Sequence, residues 1–599
     1  MAKFFLVWLF FVGTIAEAAA QGSYTETSSD GISVRTSCIM PKALLRGYVP
    51  VEMEFTNTNA SGVALDLELG NLQTYDDRAV TTGSIYLEAG ETKSIQWMAH
   101  FMETRYGLDR ISLHVKTGSK TLAWLTVLQL DSGTANKSSS PLLAASDTPE
   151  TFATDLNGIA SLGKAIRAEG CEPGQLPTDW RAYSALQFVA LDLTSTPPQA
   201  EQLQAIMDWV STGGNLILIG SNLQARQLLA SQESYLTDRK LISGHAGDEA
   251  SRLVYRHHFG RIVTANEGGI AKNKLHHYFD SSGWNAANGI NINIAPPAGT
   301  FPLRVVAQNM QIPGLRTAPV AVLLGILLIF ALIVGPMQLR RQKRKKSSPF
   351  RFLVVTPLLG FGFSAVILSF NLLVQGIDVQ EAWSSVTWLD QQSHQATTLS
   401  KRVTFSGSIF RNNLQYSSRT LAAPWPESNS TETKKTFTMN MDAGGTLEGH
   451  YLPVRLPTEQ AISSVANARG RLEIEIENGS YFAVNGFDFS LTEFYYLNEN
   501  GAWLTLVNTE DFIPGERRAL QSTDAIPDIK FPVQPNVEFH IEKDEESPSY
   551  LSHLPIWGPP RRSYIAMIPT SPFVEDGGID RRVLEQHNLL IGTLAEASK

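Results

Sequence analysis

Cysteine is nearly absent from this chain of 599 residues: Cys38 and Cys171 are its only two. That excludes a disulfide-dense scaffold and any four-cysteine metal site. The two fall in different expected domains, which weighs against a bridge between them. Charge is sparse as well, at 18% of residues, and its balance is acidic, with a formal net charge of -9. Phosphate binding needs a broad basic face, so nucleic acid is excluded as the main partner. From residue 377 onward no carboxylate pair, nucleotide-binding loop or zinc-ligand spacing stands out.

What is present begins with length. The chain is too long for one core and implies three or four folded units. It opens "MAKFFLVWLFFVGTIAEAAAQG". Lys3, an apolar stretch and the small residues Ala18 and Ala20 give the pattern of a secretory signal over residues 1–20, cut after Ala20. Two further apolar stretches, 318–339 and 350–373, are each long enough to suggest a transmembrane helix. Between them, in a short turn 340–349, lie Arg340, Arg341, Lys343, Arg344, Lys345 and Lys346. Positive charge in a short loop beside membrane spans marks the cytoplasmic side, held against anionic headgroups. The expectation is a two-helix hairpin over 317–376 that crosses the inner membrane. Both large regions are then periplasmic and the lipid bilayer is a partner.

Within an expected first domain, 21–135, residues 31–130 alternate apolar and polar side chains. "VPVEMEFTN" places Val51, Met53 and Phe55 on one face, and "VALDLELG" repeats the pattern. Short strands at this spacing suggest an Ig-like β-sandwich. The period changes over 136–316. "FVALDL" reads as a buried strand ending near Asp192, followed by a helix with Thr196 as candidate N-cap and Pro197 in its first turn. Leu203, Ile206, Met207 and Val210 lie on one helical face. Gly213-Gly214 ends the helix and "NLILIG" is the next strand. Strand–helix–strand alternation means a parallel sheet with helices on its faces.

The order "LP-DWRAYSALQFVALDL … EQLQAIMDWVSTGGNLILIG" resembles the class I glutamine amidotransferase-like domain, in the version carried by bacterial envelope membrane proteins of uncharacterised function. The resemblance extends to a signal, a β domain, a hairpin opening with a turn like Val334-Gly335-Pro336, and a β-rich C-terminal part. It implies an α/β fold and withdraws activity. Active members carry a cysteine nucleophile on a sharp strand-to-helix turn. The matching turn here reads Ser221-Asn222, and "GSN" is not the G-x-S-x-G elbow. Ser221 reads as a helix cap, with nucleophile as the minor reading. Asp192, Ser221 and Asn222 sit where α/β folds bind ligands and form the candidate crevice.

His257-His258 and His276-His277, with Glu267 and Asp280 nearby, are weighed as metal ligands. Adjacent residues on a strand face opposite ways, so packed or solvated histidines are the default, and no metal or cofactor is expected. Residues 377–599 read as a β-rich exported domain, with a hairpin turn at Asn478-Gly479. The fold class expected is thus a membrane-anchored, multidomain α+β protein. The function expected is non-catalytic: exported domains bind a protein partner, among other membrane or exported proteins, or a ligand. The alternative is an exported hydrolase or amidotransferase-like enzyme with a non-standard nucleophile.

Overall fold

A computed structural model describes residues 25–129, 139–265, 312, 320–337, 340, 349–523 and 561–594, apart from 43, 45–46, 71–77, 102–109, 158–159, 162–163, 230–236, 241–252, 377, 408–412, 425–435, 443, 450, 453–454 and 509. The expected signal (1–20), His276-His277, Glu267, Asp280 and the basic residues Arg341, Lys343, Arg344, Lys345 and Lys346 lie outside the described residues.

The period-two pattern of the N-terminal region becomes eight strands. They are β1 (Thr25–Ser29), β2 (Ile32–Ser37), β3 (Gly47–Asn57), β4 (Val63–Gly70), β5 (Arg78–Leu87), β6 (Thr92–Phe101), β7 (Arg110–Thr117) and β8 (Lys120–Gln129). β1-β2-β3-β6 form one antiparallel sheet, and β5-β4-β7-β8 belong to a second. Val51, Met53 and Phe55 of β3 and Leu65, Leu67 and Leu69 of β4 are all buried in one shared core.

Next come β9 (Ser139–Ala145), β10 (Ala160–Ser161), β11 (Lys164–Cys171), β12 (Phe188–Asp192), β13 (Asn215–Ile219), β14 (Thr237–Lys240), β15 (Leu253–His257) and β16 (Gly260–Ala265). They build an eight-stranded sheet in the order β10-β11-β9-β12-β13-β16-β15-β14. β11, β9, β12, β13 and β16 run parallel. Helix Pro149–Asn157 covers one face through Phe152, Ala153 and Leu156, against Leu142, Ala190 and Ile217. Helix Ala200–Ser211 covers the other through Leu203, Ile206, Met207 and Val210. Strands buried on both faces need uninterrupted apolar sequence, and "FVALD" and "NLILI" supply it.

The C-terminal region contains β17 (Val379–Asp390), β18 (Gln395–Ser406), β19 (Thr420–Pro424), β20 (Thr436–Asn440), β21 (Thr446–Gly449), β22 (Pro457–Asn467), β23 (Arg471–Glu477), β24 (Ser480–Gly486), β25 (Thr492–Leu497), β26 (Trp503–Leu506), β27 (Arg517–Ser522), β28 (Ser563–Ile568) and β29 (Arg582–Thr593). Eleven of these join one sheet, β19-β22-β18-β17-β29-β28-β25-β26-β27-β24-β23. The other two leave the region altogether. β20 pairs in parallel with β5, completing a six-stranded sheet β21-β20-β5-β4-β7-β8. The N-terminal sheet therefore contains a hairpin from more than 300 residues downstream, fastened by Ser84, whose N–H and Oγ donate to Asp442 at 2.9 and 2.8 Å.

The expected α+β class with a membrane hairpin is corrected. Among the described residues the protein is mostly β, with 52% of them in strands and 18% in helices. Helix Val320–Leu332 has 13 residues, about 20 Å at 1.5 Å per residue, against a hydrocarbon core of roughly 30 Å. It passes into a π-turn, Ile333–Met337, that contains Pro336. Helix Pro349–Gln375 has 27 residues, with Pro357 inside it. Its side chains are described over 354–369, a stretch of about 24 Å by the same rise. Among the described residues no helix is long and apolar enough to cross a membrane. The two expected spans, and with them the multi-pass placement in the inner membrane with periplasmic domains, are corrected accordingly. The two helices touch through Phe330 and Phe363, whose rings are 5.0 Å apart, and leave Leu328, Leu358 and Phe361 exposed.

Candidate functional site

In the parallel sheet, the chain goes from β9 to β11 on one side and then to β12 on the other. The switch point is thus between the C-terminal ends of β9 and β12, where open α/β sheets place their ligands. Ser146 and Asp147 follow β9 there, and Asp192 ends β12. The Asp192 carboxylate is fully engaged. Its Oδ2 accepts from Ser146 Oγ and Ser195 Oγ, both at 2.9 Å, and its Oδ1 from the Thr194 N–H at 3.0 Å and Thr194 Oγ1 at 2.7 Å. Partial burial pushes the acid upward, but the hydrogen bonds from Thr194, Ser195 and Ser146 outweigh it and hold the carboxyl below the usual aspartate range. Asp147 takes the Thr196 N–H and Oγ1 at 2.9 and 3.2 Å. The two loops are stitched together by their own side chains.

Ser221 lies beyond β13, exposed, at the start of helix Asn222–Leu229. Its Oγ donates to Gln224 Oε1 at 2.7 Å and accepts from the Gln224 N–H at 3.2 Å, while its own N–H donates to Gln224 Oε1 at 3.0 Å. This is a reciprocal Ser-x-x-Gln cap. Gln224 Nε2 reaches the Leu193 carbonyl at 3.1 Å, which ties this turn to the loop after β12. Gly220 has φ +153, and a Cβ there would meet Leu193 Cβ at 2.7 Å. Asn222 opens the helix. The three crevice residues therefore come to one edge of the sheet, but the polar groups of Asp192 and Ser221 are used to hold loops.

Sequence reasoning missed Ser146 and Asp147. "SDT" after a short apolar strand was the available signal, and strand pairing over nearly fifty residues decided its partner. The helix also starts later than expected. Pro197 and Pro198 keep the preceding backbone extended, and Gln199 with Gln202 forms the capping box in place of Thr196.

Both cysteines are free and buried. Burial pushes each thiol up to about 12, so neither is a thiolate near neutrality. Among the described residues no group of three or more His, Cys, Asp or Glu is placed to hold a metal ion. His257 and His258 instead form a joint between regions. His257 ends β15 and His258 begins the turn to β16, and their rings stack at 4.7 Å. His258 Nδ1 meets Thr397 Oγ1 at 2.7 Å, and its ring stacks on Trp388. Phe259 is buried in the C-terminal cluster with Val386, Trp388 and Leu399. Thr397 Oγ1 donates to Ser211 Oγ at 2.9 Å and Gln395 Nε2 to Asp208 Oδ1 at 2.8 Å. Gly260 is required here because a Cβ would collide with the Val210 carbonyl oxygen. Arg340, the one described residue of the basic run, is exposed.

No family model matches the chain, and no curated protein matches it. Among solved structures it is similar to a beta-glucosidase from Listeria innocua, at 17% identity over 18% of this chain and 16% of that one, with a TM-score of 0.13. It is also similar to a Paenibacillus sp. cycloisomaltooligosaccharide glucanotransferase, at 10% identity over 40% and 34%, TM-score 0.16. With the yeast delta-COP-I mu-homology domain it shares 7% identity over 36% of this chain and 95% of that one, TM-score 0.17. These scores are too low to carry an argument about fold or function, and none of these neighbours supports the resemblance to glutamine amidotransferase-like domains.

Proposed function

We infer that this protein is non-catalytic and works by binding a protein partner through its β and α/β regions. The observation that carries the reading is the engagement of Asp192 and Ser221, two of the polar side chains at the C-terminal edge of the parallel sheet, where such sheets take a substrate. Asp192 accepts four hydrogen bonds from its own loops. Ser221 closes a capping box with Gln224, without a general base among its hydrogen-bond partners in the described residues. A nucleophilic serine needs a base in reach and an orienting group behind that base. Gln224 can be neither. The thiol of Cys171, buried and protonated, supplies no substitute.

The test is cross-linking followed by mild purification of the full chain at native abundance. The expected outcome is a stable complex with at least one other protein, with cross-links on residues 21–316 or 377–599. A monodisperse monomer with no specific cross-link contradicts the reading.

A further inference from the structure

β17 and β18 are buried along nearly their whole length although their sequences, VQEAWSSVTWLD and QATTLSKRVTFS, are largely polar. Their register sets Trp383 opposite Arg402 and Glu381 opposite Thr404, so these four share one face of the sheet. Arg581, just ahead of β29, joins them. Arg402 is 0% exposed, Glu381 1% and Arg581 5%. Arg581 Nη1 donates to Glu381 Oε2 at 2.7 Å. Arg402 Nε is 3.7 Å from that same oxygen, too far for a hydrogen bond. Thr404 Oγ1 donates to the other oxygen at 2.9 Å. Arg402 Nη1 reaches Tyr416 Oη at 3.3 Å and its Nη2 the Glu575 carbonyl at 2.6 Å. Both guanidinium groups lie over the Trp383 ring, 5.2 and 5.8 Å from its centroid.

Two permanent cations thus share one buried carboxylate. Among the described residues, Arg402 Nε and Arg581 Nη2 are buried without a hydrogen-bond partner. Lys401 draws on a different carboxylate, Glu459, at 2.9 Å. Among the described ion pairs, Arg581 Nη2 also has Asp576 at 3.9 Å, but Asp576 is 75% exposed, which screens its charge. A buried guanidinium N–H without an acceptor is costly, and so is an uncompensated buried charge. Such a cost persists where something outside the chain relieves it.

We propose that Arg402 and Arg581 form a binding site for a small oxyanion, a carboxylate or phosphate group. A guanidinium presents paired N–H donors that match such oxygens, and the indole of Trp383 fixes both guanidinium planes. Glu381 keeps the pair from repelling each other in the empty state and leaves one positive charge for the ligand. The segment around Glu575 forms the outer wall. It is latched to Ser417, whose N–H donates to Glu575 Oε2 at 3.0 Å, and it continues into Gly577 and Gly578, both at positive φ. An anion reaches the pair on the side where Asp576 stands exposed, and takes the place of that loose contact.

The experiment titrates the full chain with inorganic phosphate, and separately with acetate, following Tm at ionic strength held constant with chloride. A saturable rise in Tm with at least one anion, which chloride does not reproduce, is expected. The two arms tell a phosphate site from a carboxylate site. Arg581→Gln weakens the anion at least tenfold, and Glu381→Gln, which removes the competing carboxylate, tightens it. No saturable rise in the unaltered protein overturns the proposal, as it does if a carboxylate of the chain itself fills the position. An equal response in Arg581→Gln also overturns it, because the anion then binds elsewhere. Should Arg581→Gln fail to fold, an unchanged apparent affinity in Glu381→Gln overturns it instead.

Discussion

His257 shows how a residue is set by its surroundings. Burial pushes its imidazole from 6.5 down to about 4. The folded protein keeps this ring neutral while the unfolded chain protonates it below its ordinary value. The stability it contributes is therefore present above about pH 6.5 and is lost as pH falls toward 4, by about 3 kcal/mol in all. Asp208 and Asp390, held above the usual aspartate range by burial, act in the opposite direction. A comparison with His257→Phe separates them. Between pH 7 and 4 the unaltered protein should lose more Tm than the variant, measured by calorimetry, and equal losses would show that His257 is not the group titrating. At the same scale, the positions of Asp192 and Ser221 were legible in the sequence because strand ends are marked by composition. Their partners were not, since Ser146 meets Asp192 only after β9 and β12 have paired.

Among the elements, local signals were read well and distant pairings were not. Asn478-Gly479 joins β23 to β24 with φ of 51 and 81, as its dipeptide predicts. The strands around helix Ala200–Ser211 follow their continuous apolar runs. The hairpin β20–β21 carries no such mark: five and four residues are too few for periodicity, and the strand it joins is far away in sequence. Nor did the sequence mark β17 and β18 as buried, because most of their hydroxyls find partners only once the strands have paired and packed, as Thr387 and Thr398 do at 2.9 Å and Ser385 and Asn588 do at 2.6 Å. The β20–β21 hairpin covers an edge of β5 that is otherwise open to pairing with other chains. Leu447, 2% exposed in its core, makes the test. Leu447→Ala should lower stability by about 2–5 kcal/mol, and deletion of residues 436–449 should add self-association seen by size-exclusion chromatography. A deletion variant that stays monomeric and equally stable would show the hairpin to be peripheral.

Across the whole molecule, three regions are joined by contacts that run out of chain order. The Tyr48 hydroxyl donates to the Ala422 carbonyl at 2.8 Å, and its N–H to Ser184 Oγ at 2.8 Å. Phe259 plugs the C-terminal cluster. Phe259→Ala should cost roughly 3–5 kcal/mol and split one thermal transition into two. A single transition at lowered Tm would mean that the joint does not couple the regions.

Such interlocking suits a protein that presents composite surfaces to a partner. The most direct measurement of that reading is complementation. In cells lacking the protein, Ser221→Ala and Cys171→Ala, singly and together, are supplied at normal abundance. Loss of the Ser221 cap should cost about 1 kcal/mol, little enough for the protein to accumulate. Full restoration of the wild-type phenotype is expected. A null phenotype from stably accumulated Ser221→Ala would contradict the binding reading and make the serine a nucleophile.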